Sequence, residues 1–296
     1  MTPQGPAIEK DGVTAAPLAE ESSPVDAKPF LKWVGGKRQL LREITRHAPS
    51  SFGRYHEPFV GGGAVFFHLR QTRPACPAFL TDSNERLIRA YRAVQHDVEG
   101  VIALLRQHAS QHSKPYFQKM RDQRDIDSAT GIEVAAWLIY LNRTAFNGLY
   151  RVNSSNIFNV PIGKYVNPTI CDEDNLRACA RALAGAEIDA TGFESVLNRA
   201  RPGDFVYFDP PYQPLTATAK FTDYTSKGFG DADQERLRDT ALELKRRGVS
   251  VVLSNSSSPF IRKLYREGFE HYKVGARRNV NSDATKRGLV QELILK

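Results

Sequence analysis

Asp209-Pro210-Pro211-Tyr212 sets a carboxylate, a pair of imino acids and a phenol ring in immediate succession. Directly upstream runs Phe205-Val206-Tyr207-Phe208, an apolar, β-rich segment with the character of a central strand covered on both faces. Prolines lack the donors that a central ladder needs, so the strand is expected to stop at Asp209. Acid, stiff backbone and ring are then held together at the carboxyl end of a strand, the edge where open α/β sheets bind ligands. Such a cluster suits the activation of an amine conjugated to an aromatic ring. The lone pair of that nitrogen is delocalised and must be drawn out of the ring before it can attack. The Asp209 carboxylate and the Pro210 carbonyl can accept hydrogen bonds from the two amine N–H groups and favour a tetrahedral nitrogen, with both acceptors in place beforehand. Tyr212 can stack on the ring, a contact worth roughly 1–3 kcal/mol when lost to alanine. A plain strand-ending turn, with a capping Asp and a packed Tyr, fits the same residues.

The elements that must position this cluster read as alternating strand and helix. Phe30-Leu31-Lys32-Trp33-Val34-Gly35-Gly36-Lys37 leads into a helix through His47. Tyr55 to Phe59 reads as a strand and runs into Val60-Gly61-Gly62-Gly63-Ala64-Val65-Phe66-Phe67, which takes up helical spacing. Ala78-Phe79-Leu80-Thr81 ends at Asp82, and Asn84 to Val94 follows as helix. Strand, glycine loop, helix, strand and acid in this order open a Rossmann-like nucleoside site. The glycines allow backbone to approach a ligand closely and to turn sharply into a helix. Asp82 follows at the interval, about twenty residues, from which an acid accepts ribose hydroxyls in dinucleotide folds. The run has neither G-x-G-x-x-G spacing nor a Walker lysine, so a phosphate cradle is not implied. An ordinary flexible loop is the other reading of three glycines. A core Trp33 and a surface Lys37 are likewise open.

Between Tyr91 and Ala186 the alternation lapses into helices and loop. There Val134, Trp137, Leu138, Leu141 and Ala145 recur at the spacing of an amphipathic helix. The strand–helix rhythm resumes at Glu187-Ile188 and continues near Val206, Val251, Tyr272 and Leu293. The expected fold is α/β, a Rossmann-like sheet domain built from residues 29–90 and 186–296, with a mainly helical domain inserted at 91–185. Residues 1–28, rich in Pro, Ala, Ser, Glu and Gly, are expected to form a disordered tail unable to bury a core.

The chain has 296 residues and a net charge of +8, with a pI near 9.4, a balance that suits a polyanionic partner. From Asn142 to Tyr165 there is no acid, while Arg143, Arg151 and Lys164 alternate with Phe146, Tyr150, Phe158 and Tyr165. Cations without competing carboxylates neutralise phosphates, and aromatics can fill the gap left by a displaced base. A helix ending in a solvated loop is the plainer reading. Lys273, Arg277, Arg278, Lys286 and Arg287, with only Asp283 among them, form a second basic strip that suits phosphates or solvent equally. Cys76, Cys171 and Cys179 show neither zinc spacing nor a disulfide framework, which fits a reducing cytosol. His108 and His112 fall at i, i+4 without an acidic partner and are expected on a solvated helix face, not at a metal. No apolar run approaches the length of a membrane span, and the N-terminus lacks the pattern of a secretory signal.

Asp209-Pro210-Pro211-Tyr212 resembles the Asp/Asn/Ser-Pro-Pro-Tyr/Phe motif of amino-directed DNA methyltransferases, and its aspartate resembles the adenine-N6 subset. Together with the W-x-G-G-K element at Trp33 to Lys37, the loop Glu57-Pro58-Phe59-Val60-Gly61-Gly62-Gly63, and the stretches Leu141 to Asn153 and Phe158 to Tyr165, it extends the resemblance to the DNA adenine methylase family. The resemblance covers nearly all of the chain from Phe30 onward. It implies S-adenosylmethionine as cofactor, contacted by Trp33, Gly35, Gly36, Lys37, Phe59, Gly61, Gly62, Gly63, Asp82, Phe193 and Asp209, with Lys37 at the cofactor carboxylate. Where the family has an Asp-Phe pair near the cofactor adenine, this chain has Gly192-Phe193, and Asp189 is a nearby acid that could substitute.

The resemblance further implies catalysis by Asp209, Pro210, Pro211 and Tyr212 on an adenine flipped out of double-stranded DNA, without a covalent enzyme intermediate. Phe146 and Asn147 would intercalate or touch base and backbone, Arg151 would read a guanine edge, and Pro161 would pack on a thymine methyl. Tyr165 would contact the target site, Lys32 and Arg143 would approach DNA, and GATC is the implied sequence. Phe221-Thr222-Asp223-Tyr224-Thr225 resembles a family loop that closes over the flipped base. The implied location is the cytoplasm, with a cognate restriction endonuclease left open as a partner. A cytosine-N4 or RNA-directed methyltransferase, or a catalytically silent DNA-binding protein on the same fold, remains as an alternative.

Overall fold

The computed structural model describes residues 26–33, 35, 37, 40–213, 229–277 and 289–296. The sequence expectations at Gly36, Phe221 to Thr225, Arg278, Asp283, Lys286 and Arg287, and for residues 1–25, lie outside them. Among the described residues seven strands make one sheet: β1 (Tyr55–Glu57), β2 (Ala78–Asp82), β3 (Glu187–Ala190), β4 (Phe205–Phe208), β5 (Ser250–Ser256), β6 (His271–Arg277) and β7 (Leu289–Leu295). Their order is β3-β2-β1-β4-β5-β7-β6. Strands β1 to β5 pair in parallel, and β7 runs antiparallel between β5 and β6.

β4 is the central strand, and all four of its residues are buried. Successive side chains on a strand point to opposite faces. Phe205 and Tyr207 accordingly join the core on one side of the sheet, and Val206 and Phe208 join the core on the other. The first core takes in α1 (Leu41–His47), α2 (Ala64–Thr72), α3 (Glu85–His96), α4 (Val98–Gln111), α5 (Lys114–Arg121), α6 (Gly131–Thr144) and α7 (Glu173–Leu183). The second is covered by α8 (Asp231–Arg246) and α9 (Pro259–Leu264). Sequence order reverses between β1 and β4, so the two segments that leave these strands flank the topological switch point.

Helices α3 to α7 all lie in the chain between β2 and β3. They share the first core with the sheet: Trp137 and Phe158 belong to the same buried cluster as Tyr55 and Leu80. The amphipathic character expected of α6 gives way to burial all round, since every residue from Val134 to Asn142 is buried. α3, α4 and α5 pack around it, leaving only its first turn and Arg143 in contact with solvent. Beyond α6 the chain doubles back on itself. Ala145 bridges Ile162 and Val152 bridges Phe158 in antiparallel sense, and Phe146 N donates to the Pro161 carbonyl at 2.9 Å. Asn153 closes the far turn, its Oδ1 accepting from Ser155 N and Ile157 N, while Asn156 takes the left-handed conformation (φ 58°) that Asn tolerates.

Two local expectations are corrected. Packing starts before residue 29: Ala27 is buried, and the Lys28 backbone exchanges hydrogen bonds with the Asn175 side chain at 2.9 and 3.0 Å. His108 and His112 are not on a solvated face. They are half-buried, their Nδ1 atoms bonded to the hydroxyls of Tyr116 (2.7 Å) and Tyr140 (2.9 Å), and burial pushes the His108 pKa down to about 4. No described helix is long and apolar enough to cross a membrane.

Candidate active site

The turn that leaves β1 is built around its glycines. Val60 N donates to the Thr81 carbonyl of β2 at 3.0 Å, and Gly61 N donates to Asp82 Oδ2 at 3.1 Å. Gly61 (φ 46°) and Gly63 (φ 68°) both adopt the left-handed conformation. Space as well as torsion demands glycine here. A Cβ on Gly61 would come within 2.8 Å of the Trp33 ring, and one on Gly63 within 2.6 Å of the Tyr91 hydroxyl. The close approach that the sequence suggests toward a ligand is thus also an approach to the protein's own aromatics.

Asp82 ends β2, and Asn84 caps α3 immediately after it, its side chain accepting from Leu87 N at 3.1 Å. Asp82 Oδ1 accepts from Asn84 N at 2.9 Å, so each carboxylate oxygen already holds a backbone donor. Burial raises its pKa to about 6 in spite of these donors. A carboxylate offers about four acceptor positions, so it retains capacity for hydroxyls. Phe59 stacks on Phe193 with centroids 5.4 Å apart, and Phe229 meets both rings near edge-on at 5.7 and 6.0 Å. Trp33 lies half-buried, stacked on Tyr150 at 5.5 Å. Glycines, an acceptor carboxylate and aromatic rings on the segments that follow β1, β2 and β3 are residue types that suit a nucleoside-bearing cofactor.

Asp189 is a poor substitute for the acid absent at Gly192, since Arg92 (2.6 Å) and Arg199 both pair with it. A different carboxylate lies closer. Glu194 Oε2 is 3.1 Å from where a Cβ on Gly192 would stand, while its Oε1 takes Arg236 at the same distance.

The Asp209 side chain, 21% exposed, is held from two directions. Lys37 Nζ lies 2.9 Å from Oδ1, and Ser254 Oγ donates to the same oxygen at 2.9 Å. Neither bond uses Oδ2. Burial raises the Asp209 pKa, and the Lys37 ammonium and the Ser254 hydroxyl act against that rise. Lys37, buried at 5% exposure, also donates to the Gly35 carbonyl at 2.7 Å and sits 4.4 Å from the centre of the Tyr212 ring. The lysine expected at a cofactor carboxylate therefore bridges Gly35, Asp209 and the Tyr212 ring.

Behind the motif stand residues that sequence reasoning missed. Gln234 of α8 donates to the Pro211 carbonyl at 2.9 Å, and its Oε1 accepts from Asn255 Nδ2 at 2.9 Å. Asn255 Oδ1 accepts from Gln213 N at 3.4 Å, and the Tyr212 hydroxyl donates to Glu292 Oε2 at 2.8 Å. Gln234 and Asn255 are fully buried. At the end of β1, Glu57 Oε2 accepts from the Tyr55 hydroxyl (2.9 Å) and Phe66 N (3.1 Å). Burial pushes the Glu57 pKa up to about 8, with the Asp209 charge adding to the rise. A polar Ser254-Asn255-Ser256 ending an apolar strand could have announced part of this network; nothing local marks Gln234 or Glu292.

The residues expected to meet DNA separate into two groups. Phe146, Asn147, Arg151, Pro161, Tyr165 and Lys32 are exposed. Lys32 Nζ lies 4.6 Å from the Tyr165 ring centre, and Arg151 is steadied by Asn159 Oδ1 at 2.8 Å. Arg143, by contrast, is half-buried and donates to the Phe30 carbonyl at 2.9 Å, which gives it a tethering role. The buried Asn142 beside it was not singled out in advance. It accepts from Lys32 N (2.7 Å) and donates to the carbonyls of Lys32 (2.7 Å) and Gly148 (2.8 Å), joining Lys32 to the doubled-back loop.

A family model described as D12 class N6 adenine-specific DNA methyltransferase matches residues 33–280. The Type II methyltransferase M1.LlaDCHI of Lactococcus lactis subsp. cremoris is 42% identical over 280 residues, covering 93% of this chain and 97% of its own length. The Type II methyltransferase M.MjaIII of Methanocaldococcus jannaschii is 40% identical over 288 residues, covering 92% and 99%. The DNA adenine methylase of Escherichia coli (strain K12) is 34% identical over 268 residues, covering 90% and 93%.

Proposed function

The chain belongs to the D12 class N6 adenine-specific DNA methyltransferases, and from that premise we propose that it methylates a flipped adenine within GATC, with S-adenosylmethionine as donor. The observation that carries this reading is Asp209, its Oδ1 clamped by Lys37 and Ser254 at the end of the central strand, with Tyr212 against the same lysine. Phe59, the turn at Gly61 to Gly63, Asp82 and Phe193 would hold the cofactor's nucleoside. When bound, the cofactor supplies a methyl group made electrophilic by its sulfonium sulfur.

The protein's own residues supply orientation and electrostatics. Asp209 and the Pro210 carbonyl accept hydrogen bonds from the two N–H groups of the adenine amine and draw its lone pair out of the ring. Tyr212 stacks on the base, and that contact offsets part of the few kcal/mol needed to extrude it. The Lys37 ammonium favours the acceptor form of Asp209 and opposes the upward push of burial on its pKa. The exposed side chains from Phe146 to Tyr165, with Lys32, form the recognition surface of a unit spanning 91–185. Arg151 reads guanine, and Pro161 packs on a thymine methyl. Relatives named both DNA adenine methylase and Type II methyltransferase support a solitary enzyme and a partner of a restriction endonuclease alike. Mapping modified bases on treated DNA tests the reading. N6-methyladenine confined to GATC is expected; methylation in another motif would remove the target assignment, and N4-methylcytosine would remove the chemistry.

A further inference from the structure

We infer that Glu292 is a positioning residue that orients Tyr212 as the surface on which the target base stacks, an inference that rests on the stacking role proposed for Tyr212. Glu292 lies on β7, 80 residues from Tyr212 in the chain. Its backbone is paired on both sides, opposite Ser256 of β5 and Val274 of β6, so sheet register and not a loop decides where its carboxylate stands. That carboxylate accepts the Tyr212 hydroxyl at 2.8 Å.

The other anchors hold the backbone on either side of Tyr212. Gln234 fixes the Pro211 carbonyl and Asn255 the Gln213 amide, while Pro211 itself has a restricted φ. These bonds place the Tyr212 Cα but leave the ring free to turn about its own side-chain torsions. A bond at the far end of the ring removes that freedom, and the Lys37 ammonium at 4.4 Å from the ring centre completes the cage. The arrangement has a cost. The Glu292 charge acts on Asp209 in the direction that disfavours the ionised acid. An apolar neighbour would pack the ring without that penalty, whereas a carboxylate gives the hydroxyl a directional, charge-assisted partner. A ring set beforehand spares the entering base the entropy of ordering it.

The experiment uses the full chain with two duplexes: an unmodified one for turnover and KM, and one carrying 2-aminopurine at the target adenine, whose fluorescence reports unstacking and stacking. Glu292→Leu is expected to raise KM for DNA about tenfold, the scale of one lost hydrogen bond to a charged group. It should also shift the bound 2-aminopurine signal in the same direction as Tyr212→Ala. The melting temperature and the calorimetric affinity for S-adenosylmethionine should stay close to those of the parent. Glu292→Gln, which keeps an acceptor, should recover most of the loss. Tyr212→Phe removes the same bond from its other end and leaves Glu292 in place, so it should reproduce the loss even if Glu292→Leu folds poorly; where both fold, adding Glu292→Leu to it should cost little more. A parent-like KM and fluorescence in Glu292→Leu, alongside altered values in Tyr212→Ala, would overturn the inference and leave the stacking role standing. Full additivity with Tyr212→Phe would also overturn it. Parent-like values in Tyr212→Ala would remove the stacking role and this inference together.

Discussion

The carboxyl edge of β4 and β5 and the doubled-back loop from Ala145 to Tyr165 handle polar side chains in opposite ways. At the edge, Gln234, Ser254 and Asn255 are buried and bonded to one another or to the Asp209-Pro210-Pro211-Tyr212 segment. Along the loop, Phe146, Asn147, Arg151 and Pro161 stand exposed on a backbone held by cross-chain bonds and by the buried Asn142. Buried polar groups are costly when unpaired, so a fully connected network has essentially one geometry. Exposed side chains on a firm backbone can be exchanged at little cost to folding. The edge is suited to holding reacting atoms, and the loop to choosing among sequences.

The sharpest way to break this contrast is Asp209→Ala. Methyl transfer from labelled cofactor should fall by at least the ~10²–10³-fold typical of losing one preorganised electrostatic contact, with cofactor affinity only modestly weakened. Near-normal protection of treated DNA from a restriction enzyme would deny the edge its role. A smaller effect is expected at the loop. Arg151→Ala should relax discrimination at one guanine position by about 1–3 kcal/mol and leave thermal stability nearly unchanged. An unaltered preference in a substrate panel would end the reading of Arg151 as a base contact, and a large drop in melting temperature would erase the contrast itself.

The mildest effect concerns Glu57, and it sharpens the account of the buried side. Its folded pKa, about 8, lies above the ordinary 4.5, so the native state holds a proton that the unfolded chain has released. Stability from this group is complete below about pH 4.5 and is lost as pH rises toward and through 8. Glu57→Gln should therefore flatten the decline in melting temperature between pH 5 and 8. An unchanged slope would show that Glu57 is ionised in the folded protein.

What could be read in advance, and what could not, follows the same division. Asp209-Pro210-Pro211-Tyr212, the glycine turn, Asp82 and the strand at Phe205 to Phe208 were legible because each depends on chain-local constraints: proline's missing donor, glycine's positive φ, an apolar run of strand length. The helix α6 was recognised, but its burial on every side was not, because that depends on which helices surround it.

By itself the sequence determined the Asp209-Pro210-Pro211-Tyr212 cluster, the order of strands and helices, and the acid-free stretch from Asn142 to Tyr165, since all are written in neighbouring residues. Tertiary structure decided that Lys37 would bind Asp209, that Arg143 would tie down Phe30, and that Gln234, Ser254, Asn255 and Glu292 would gather behind the motif. These partners come from distant segments brought together by sheet register and helix packing. A polar side chain reveals what it can bond to only when folding has removed water as its alternative.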